Sequence, residues 1–375
     1  MINQIEIKNF KSLKEINVSV KNLNVLMGLN GMGKSSFIQM LLLLMQSDKL
    51  EERILDLNGL LVEIGQGRDA LYQFAKEDFI EFGIHFNERN FLWKFLYQRD
   101  KDKLEAENGF TKDQMQYFRE QTKRFQYISA ERVGPQDIYD ASSIVVSDKK
   151  QLGLLGEYAA YYINVFGLEY EVKDYLKHNS NSSNILNDQI NAWLKEVSPG
   201  ISVNTKYVPE INKVILDYQF DLLNTKTNAF RPKNVGFGIS YVLPIILALL
   251  TAEEGKIIVI ENPESHIHPK GQAKLGELIA LAAQSGAQIF IETHSDHILN
   301  GIRVATKEFH SKDEKRGISR ENVSVLYFEK ITTEEETRKE QFSKVTQISI
   351  DPKGELSEYP KDFLDEWSNQ LFKLI

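Results

Sequence analysis

Cysteine is absent from this 375-residue chain. That excludes disulfides, thiolate nucleophiles, iron–sulfur clusters and cysteine-ligated zinc in one step, and it fits a reducing compartment. Long hydrophobic runs are absent as well. The two longest, 37–45 and 241–252, are interrupted by Gln39 and Pro244, and neither reaches the roughly 18–20 apolar residues of a membrane helix. No surplus of positive charge exists: 45 Lys and Arg face 53 Asp and Glu, a net charge of −8, which excludes a polybasic nucleic-acid coat protein. No repeat with the period of a solenoid and no long heptad array is present. The opening MINQIEIKNF lacks the apolar core of a signal peptide, so a cytoplasmic protein without a membrane partner is expected.

What is present is ordinary globular composition, 42% hydrophobic and 26% charged, enough to bury a sizeable core. Alternation over Ile2–Lys8 and Ile16–Val20 predicts strands, and the apolar run Leu23–Met27 predicts a buried one. A glycine-rich loop follows, then an apolar helix from Ser35 to Gln46. Residues 79–97 alternate as a hairpin, 98–126 read as a charged helix or loop, and the Asn/Ser-rich stretch 176–192 reads as a loop. Residues 201–222 read as two strands around Pro209. After 230 the expected order is helix (Tyr241–Leu250), buried strand (Lys256–Ile260), amphipathic helix (Pro269–Ser285) and buried strand (Ala287–Glu292), which argues for parallel strands covered on both faces. The tail predicts strands at Val323–Phe328 and Val345–Ile350 around a charged turn. A terminal helix follows, packed through Tyr359, Phe363, Trp367 and Phe372.

Gly28-Leu-Asn30-Gly31-Met-Gly33-Lys34-Ser35 satisfies G-x-x-x-x-G-K-[ST] and lies between a strand and a helix, the context that this motif requires. Glycines let backbone N–H groups curl around phosphates, and the helix adds its positive N-terminal end. Lys34 would reach the β- and γ-phosphates of a nucleotide, and Ser35 would offer its hydroxyl to Mg²⁺. A chance glycine turn would not combine the lysine, the serine and both flanking elements.

A second constellation sits at the end of the Lys256–Ile260 strand, where Glu261-Asn-Pro-Glu264 offers carboxylates of the kind an ATPase uses to hold Mg²⁺. The next apolar strand ends in Glu292-Thr-His294-Ser, which would place a histidine beside a γ-phosphate or its water. Four of the 7 histidines fall within 266–297. His266 and His268 could in principle share a zinc ion, but no set of ligands here has zinc spacing, and a loop lining a nucleotide site accounts for them better.

These motifs together resemble the ABC-type ATPase heads of the RecF/SMC/OLD group, found in bacterial defence and DNA-repair proteins. Lys8-Asn-Phe-Lys11-Ser-Leu is similar to the group's N-terminal strand signature, GLNGMGKSS through Ser36 to its Walker A, IIVIENPESHIHP to its Walker B and D-loop, and IETHSDHIL to its histidine switch. The likeness is strongest over 1–50 and 230–310. Weaker likenesses are Tyr127-Ile-Ser-Ala-Glu-Arg132, with no assigned role, and a tail (Gly354–Pro360, Phe363–Trp367) similar to a small C-terminal domain of unknown function. The resemblance implies an α/β P-loop NTPase head: a mixed or antiparallel N-terminal sheet, a core of parallel strands and a helical insertion. The expected divisions are 1–135 (Walker A part), 136–225 (helical insertion), 226–310 (signature, Walker B, D-loop and histidine switch) and 311–375 (tail).

The resemblance further implies ATP and Mg²⁺ as cofactors, with Lys11, Asn30, Gly31, Gly33, Lys34, Ser35 and Ser36 around the nucleotide, Ser35 and Glu261 on the metal, and Glu261, Glu264 and His294 at the chemistry. It implies a homodimer or higher oligomer in which the signature region, Gly236-Phe-Gly238-Ile-Ser240, covers the ATP of the other copy. Three departures bear on this. Glycine replaces the signature serine if Gly236 is aligned there, Glu261 replaces the usual aspartate, and Asn262 occupies the usual catalytic glutamate position, where an amide cannot act as a general base. Slow or partner-dependent hydrolysis follows, with Glu264 as the substitute. The segment after His294 lacks the acidic pattern of the Toprim nuclease carried by OLD proteins, so the expected damage-dealing partner in anti-phage defence is a separate nuclease. Two alternatives stand beside this ATPase: a non-hydrolysing ATP-dependent scaffold, and a DNA-clamping repair head. The acidic balance weighs against the second. So does the absence of a coiled-coil arm. The strip from Arg89 to Arg132, where basic residues are interleaved with aromatics, could hold a nucleic acid, but with Asp and Glu mixed in it reads better as a solvated helical face with a few core aromatics.

Overall fold

The computed structural model describes residues 1–311, 316–335, 338–360, 363 and 371–374. In chain order the elements are β1 (Ile2–Phe10), β2 (Leu13–Ser19), β3 (Leu23–Met27), α1 (Lys34–Gln46), β4 (Ile54–Asp56), α2 (Gly67–Ala70), β5 (Phe79–Phe86), β6 (Asn90–Leu96), β7 (Lys103–Glu105), α3 (Lys112–Thr122), β8 (Phe125–Ile128), β9 (Ile138–Asp140), α4 (Ala159–Phe166), α5 (Leu186–Val197), β10 (Ile201–Val208), β11 (Lys213–Phe220), α6 (Phe237–Leu250), β12 (Ile257–Glu261), α7 (Pro269–Gln284), β13 (Gln288–Glu292), α8 (Asp296–Ser311), β14 (Val323–Glu335) and β15 (Arg338–Ile348). They form two compact units. One holds 1–125, 323–350 and 356–375, and the other holds 126–322 and 351–355.

In the first unit, β2-β1-β5-β6 is an antiparallel sheet. Its strands alternate as the sequence does, so Ile5, Ile7, Phe82, Ile84, Trp93 and Phe95 face a dry interior. β3 is buried at all five positions and pairs in parallel with β14, whose other edge carries β15 antiparallel. A strand covered on both faces loses its alternation, which is why Leu23–Met27 reads as a continuous apolar run. α1 lays Phe37, Ile38, Leu41 and Leu44 into the same core.

In the second unit, β12 and β13 run parallel in register from Ile257↔Gln288 to Glu261↔Glu292, and β8 borders β12. α6 is buried over most of its length despite Pro244. The 136–225 segment carries α4 and α5 together with an antiparallel sheet, β10-β11-β9.

Three expectations need correction. The Asn/Ser-rich stretch becomes helix from Leu186 onward, because Leu186, Ile190 and Trp193 share one buried face. The charged turn of the tail is a long hairpin, paired continuously from Val325↔Ile348 to Glu335↔Arg338. In the tail, Phe363 is buried against Tyr327 with ring centroids 5.1 Å apart, but Tyr359 and Phe372 are exposed; Trp367 lies outside the described residues.

Candidate nucleotide-binding site

The phosphate loop belongs to the first unit. Gly28, Gly31 and Gly33 have φ of 136°, 75° and 103°, a region that side chains with a Cβ rarely enter. Space forbids a Cβ at two of them. At Gly28 it would run into the carbonyl of Phe328 on β14, and at Gly33 it would lie 2.5 Å from the Ser343 hydroxyl of β15. Gly31 meets nothing within 4 Å, and Asn30 and Gly31 are exposed at the crest of the loop.

Lys34 opens α1 and is buried at 3% exposure. Its ammonium donates to the carbonyls of Gly28 and Leu29, both at 2.9 Å, so the loop curls around its own lysine. Ser35 is exposed and Ser36 half-buried in the same first turn. Lys11 takes φ 52° in the turn between β1 and β2, and its ammonium donates to Gln39 of α1 at 2.9 Å. Burial lowers its pKa, opposed by the charge of Asp69. All seven expected nucleotide-contacting residues of this half are thus carried by the first unit.

The second constellation belongs to the other unit. Glu261 ends β12, and its carboxylate accepts from Ala130 N–H at 3.3 Å. Burial raises its pKa, against the pull of the Ala130 amide, the Tyr127 hydroxyl and the Arg132 charge. Arg132 is 3% exposed. Its guanidinium donates to the carbonyls of Glu261 at 2.6 Å, Asn262 at 2.7 Å and Ser129 at 2.9 Å and sits over the Tyr241 ring at 5.4 Å. Desolvation brings its pKa down to about 10, so it remains charged at neutral pH. Asn262 turns the chain at φ 44°, and its side-chain Oδ1 is buried with no partner among the described residues.

Glu264 is tied to the end of β13. One carboxylate oxygen accepts from Thr293 Oγ1 at 2.8 Å and the other from His294 N–H at 2.7 Å. His294 is exposed at a cavity of about 330 Å³ that Glu264, Gln272 and Asp296 also line. Gly236 is the exposed N-cap of α6, and a Cβ on Gly238 would run into the His266 carbonyl, so the signature region and the D-loop touch here. Ser240 lies 7% exposed one turn into α6, with its hydroxyl buried, so the structure does not present it for a second copy's nucleotide. His266 packs against the Tyr241 ring at 5.0 Å, and His268 caps α7 by accepting from Lys270 N–H; each has a local structural task.

Sequence reasoning passed over Arg132 and Thr293. Arg132 stands in the Tyr127–Arg132 segment, whose likeness to the family was visible without its task.

A glycine loop closing on a lysine at a helix start, in a chain whose buried strands end in carboxylates, has the character of a P-loop ATPase head of the ABC type, similar to those of the RecF/SMC/OLD group. Its fold matches two SMC heads. One is "Smc head domain with an extended coiled coil bound to the C-terminal domain of ScpA" from Pyrococcus furiosus, with TM-score 0.53, 10% identity and coverage of 100% of this chain and 99% of that one. The other is "SmcHead bound to the C-winged helix domain of ScpA", with TM-score 0.51, 12% identity and coverage of 93% and 97%. The chain belongs to the AAA-domain family described as putative AbiEii toxin, type IV TA system, matched over residues 23–300. Residues 318–374 match a family of proteins of unknown function, DUF3696. A curated relative, the Old nuclease of Escherichia phage P2, is 23% identical over 172 residues, 41% of this chain and 29% of that protein. The match therefore spans under a third of that relative. Among the described residues no helix is long and apolar enough to cross a membrane.

Proposed function

We propose that this chain binds and hydrolyses ATP, pairs with a second copy around it, and thereby gates a separate effector, a nuclease, in bacterial anti-phage defence. The observation that carries the reading is the phosphate loop, whose three left-handed glycines and buried, carbonyl-bound Lys34 form a cradle for a triphosphate. Asn30, Gly31, Gly33 and Ser36 would line the phosphates, and Lys11 would approach them from its perch on Gln39. The Ser35 hydroxyl and the Glu261 carboxylate are oxygen donors of the kind Mg²⁺ takes. A carboxylate whose pKa is raised by burial gains from a cation. Mg²⁺, when bound, supplies charge neutralisation on the phosphates. Gly236 and Gly238 would offer backbone N–H groups to the ATP of the second copy. The nuclease relative of phage P2 and the partner-bound SMC heads support a partner of this kind.

Glu264 and His294 would orient the attacking water. Because both Glu264 oxygens already accept hydrogen bonds and Asn262 has no basic atom, hydrolysis is slow. The same observation favours a second reading, a scaffold that binds ATP without hydrolysing it. Steady-state phosphate release and ATP titration on the wild type, Lys34→Ala and Glu264→Gln separate them. Slow turnover lost in both variants, with binding lost only in Lys34→Ala, supports the ATPase. Binding without turnover in the wild type supports the scaffold, and ATP binding that survives Lys34→Ala overturns both.

A further inference from the structure

The β14–β15 hairpin of the first unit has no assigned task. It lies within the DUF3696 match, and its strands stand against the phosphate loop. β14 runs parallel to β3 up to Tyr327↔Met27, so its next residues continue past the end of β3, where the loop begins. The Phe328 carbonyl is what a Cβ on Gly28 would strike. On β15, the Ser343 amide donates to the Ser12 carbonyl at 2.8 Å, and its hydroxyl donates to Ser12 Oγ at 2.8 Å. Both hydroxyls lie where a Cβ on Gly33 would sit.

Lys330 is the residue directly opposite Ser343. Opposed residues of an antiparallel pair stand on one face of the sheet, with Cβ atoms about 4.5–5.5 Å apart. The face that presents Ser343 to Gly33 therefore also presents Lys330, one strand over and next to the start of α1. Two residues back on the same face, Phe328 packs edge-on to Phe37 of α1 at 5.9 Å, which fixes that face as the α1 side. Lys330 is exposed and has no hydrogen bond or ion pair among the described residues. Its neighbour Glu329 stands on the opposite face, paired with Lys344 at 3.2 Å. The described side chains that share the face of Lys330, namely Phe328, Thr332, Gln341, Ser343 and Val345, include no acid. An ammonium on a four-carbon stem, without a partner among the described residues, thus starts within reach of a loop shaped for anions.

We infer that Lys330 is a further phosphate-binding residue of the nucleotide site, and that the C-terminal hairpin is a wall of that site. The inference rests on the ATP-binding reading above. Lys34 holds the loop from within, and Lys330 closes on the polyphosphate from the hairpin side. Its contribution therefore scales with the number of phosphates on the ligand.

Affinities for ATP, ADP and AMP are measured by titration calorimetry at two salt concentrations on the full chain and on Lys330→Ala, Lys330→Arg and Lys34→Ala, with thermal melting of each. Losing one charge-assisted contact weakens ATP binding by roughly tenfold. The expected result is that loss in Lys330→Ala, with a smaller loss for ADP, little for AMP, a shallower salt dependence, an unchanged melting temperature, and recovery in Lys330→Arg. Wild-type affinities in Lys330→Ala, alongside abolished binding in Lys34→Ala, overturn the role of Lys330 and leave the ATP site standing. An equal loss for all three nucleotides, or a lowered melting temperature, assigns Lys330 to the architecture of the hairpin and also overturns it. ATP binding retained in Lys34→Ala would instead overturn the underlying reading.

Discussion

At Glu261 burial favours the protonated carboxyl, against the Ala130 amide, the Tyr127 hydroxyl and the Arg132 charge. Its folded-state pKa lies above the ordinary carboxylate value of 4.5, so between those two values the folded state binds more protons than the unfolded chain. Stability then falls as pH rises through that window, and above it the cost is fully present. Glu261→Gln removes the cost. In nucleotide-free protein it is expected to melt higher than wild type at pH 7–8, with the gain shrinking as pH falls toward 4.5. The stabilisation that wild type draws from ATP with Mg²⁺ should be lost. A variant that melts lower at every pH would mean that the carboxylate is a structural anchor. Not every residue of this environment was legible in advance. Lys34 and Ser35 declare themselves because the chemistry of the loop is contiguous in sequence. Arg132 reaches the Glu261 carbonyl from 129 positions away, and no local pattern marks an arginine that will be buried against carbonyls.

Among the elements, strand, loop and first helix of the phosphate site were legible because each is governed by near neighbours: an apolar run, three glycines, then an apolar helix. The parallel strands β12 and β13 were legible for the same reason. The hairpin β14–β15 was legible only at its base, Val323–Phe328 and Val345–Ile348. Past Phe328 its residues (Glu329-Lys-Ile-Thr-Thr-Glu-Glu335) carry no apolar alternation, and its pairing is set by the partner strand and by Ser12, which the sequence places far away. α5 was hidden by the Asn/Ser stretch before it, though its one-sided burial of Leu186, Ile190 and Trp193 is a helical period. The start of α6 shows how tightly elements meet at the site, since Gly238 lies against the His266 carbonyl. Gly238→Ala forces α6 and the D-loop apart, at a cost of about 1–3 kcal/mol by the usual penalty for overpacking. Denaturant titration of the nucleotide-free protein should show that loss. Wild-type stability would mean that the D-loop yields freely.

At the scale of the whole molecule, charge decides between partners. A DNA clamp concentrates cations, and its affinity falls steeply with salt as counterions are released. This chain carries a net charge of −8, and three cations of its basic-aromatic strip are paired with neighbouring acids. Arg89 meets Asp113 at 2.7 Å, Lys94 meets Glu107 at 2.6 Å and Lys103 meets Asp56 at 3.0 Å. If exposed Gly236 and half-buried Gly238 at the start of α6 offer their backbone N–H groups to a triphosphate, as proposed above, the partner is a second nucleotide-loaded copy. Glu264→Gln, chosen to slow hydrolysis and prolong the loaded state, is expected to double in mass by light scattering with ATP and Mg²⁺ and to stay monomeric with ADP. Adding Lys34→Ala should abolish the shift. A short DNA duplex titrated into the loaded protein at low salt should not co-migrate with it. Salt-sensitive DNA binding confined to the ATP state would move the chain to the repair-type heads, and a monomer under all nucleotide conditions would leave the glycines at 236 and 238 without a phosphate to meet.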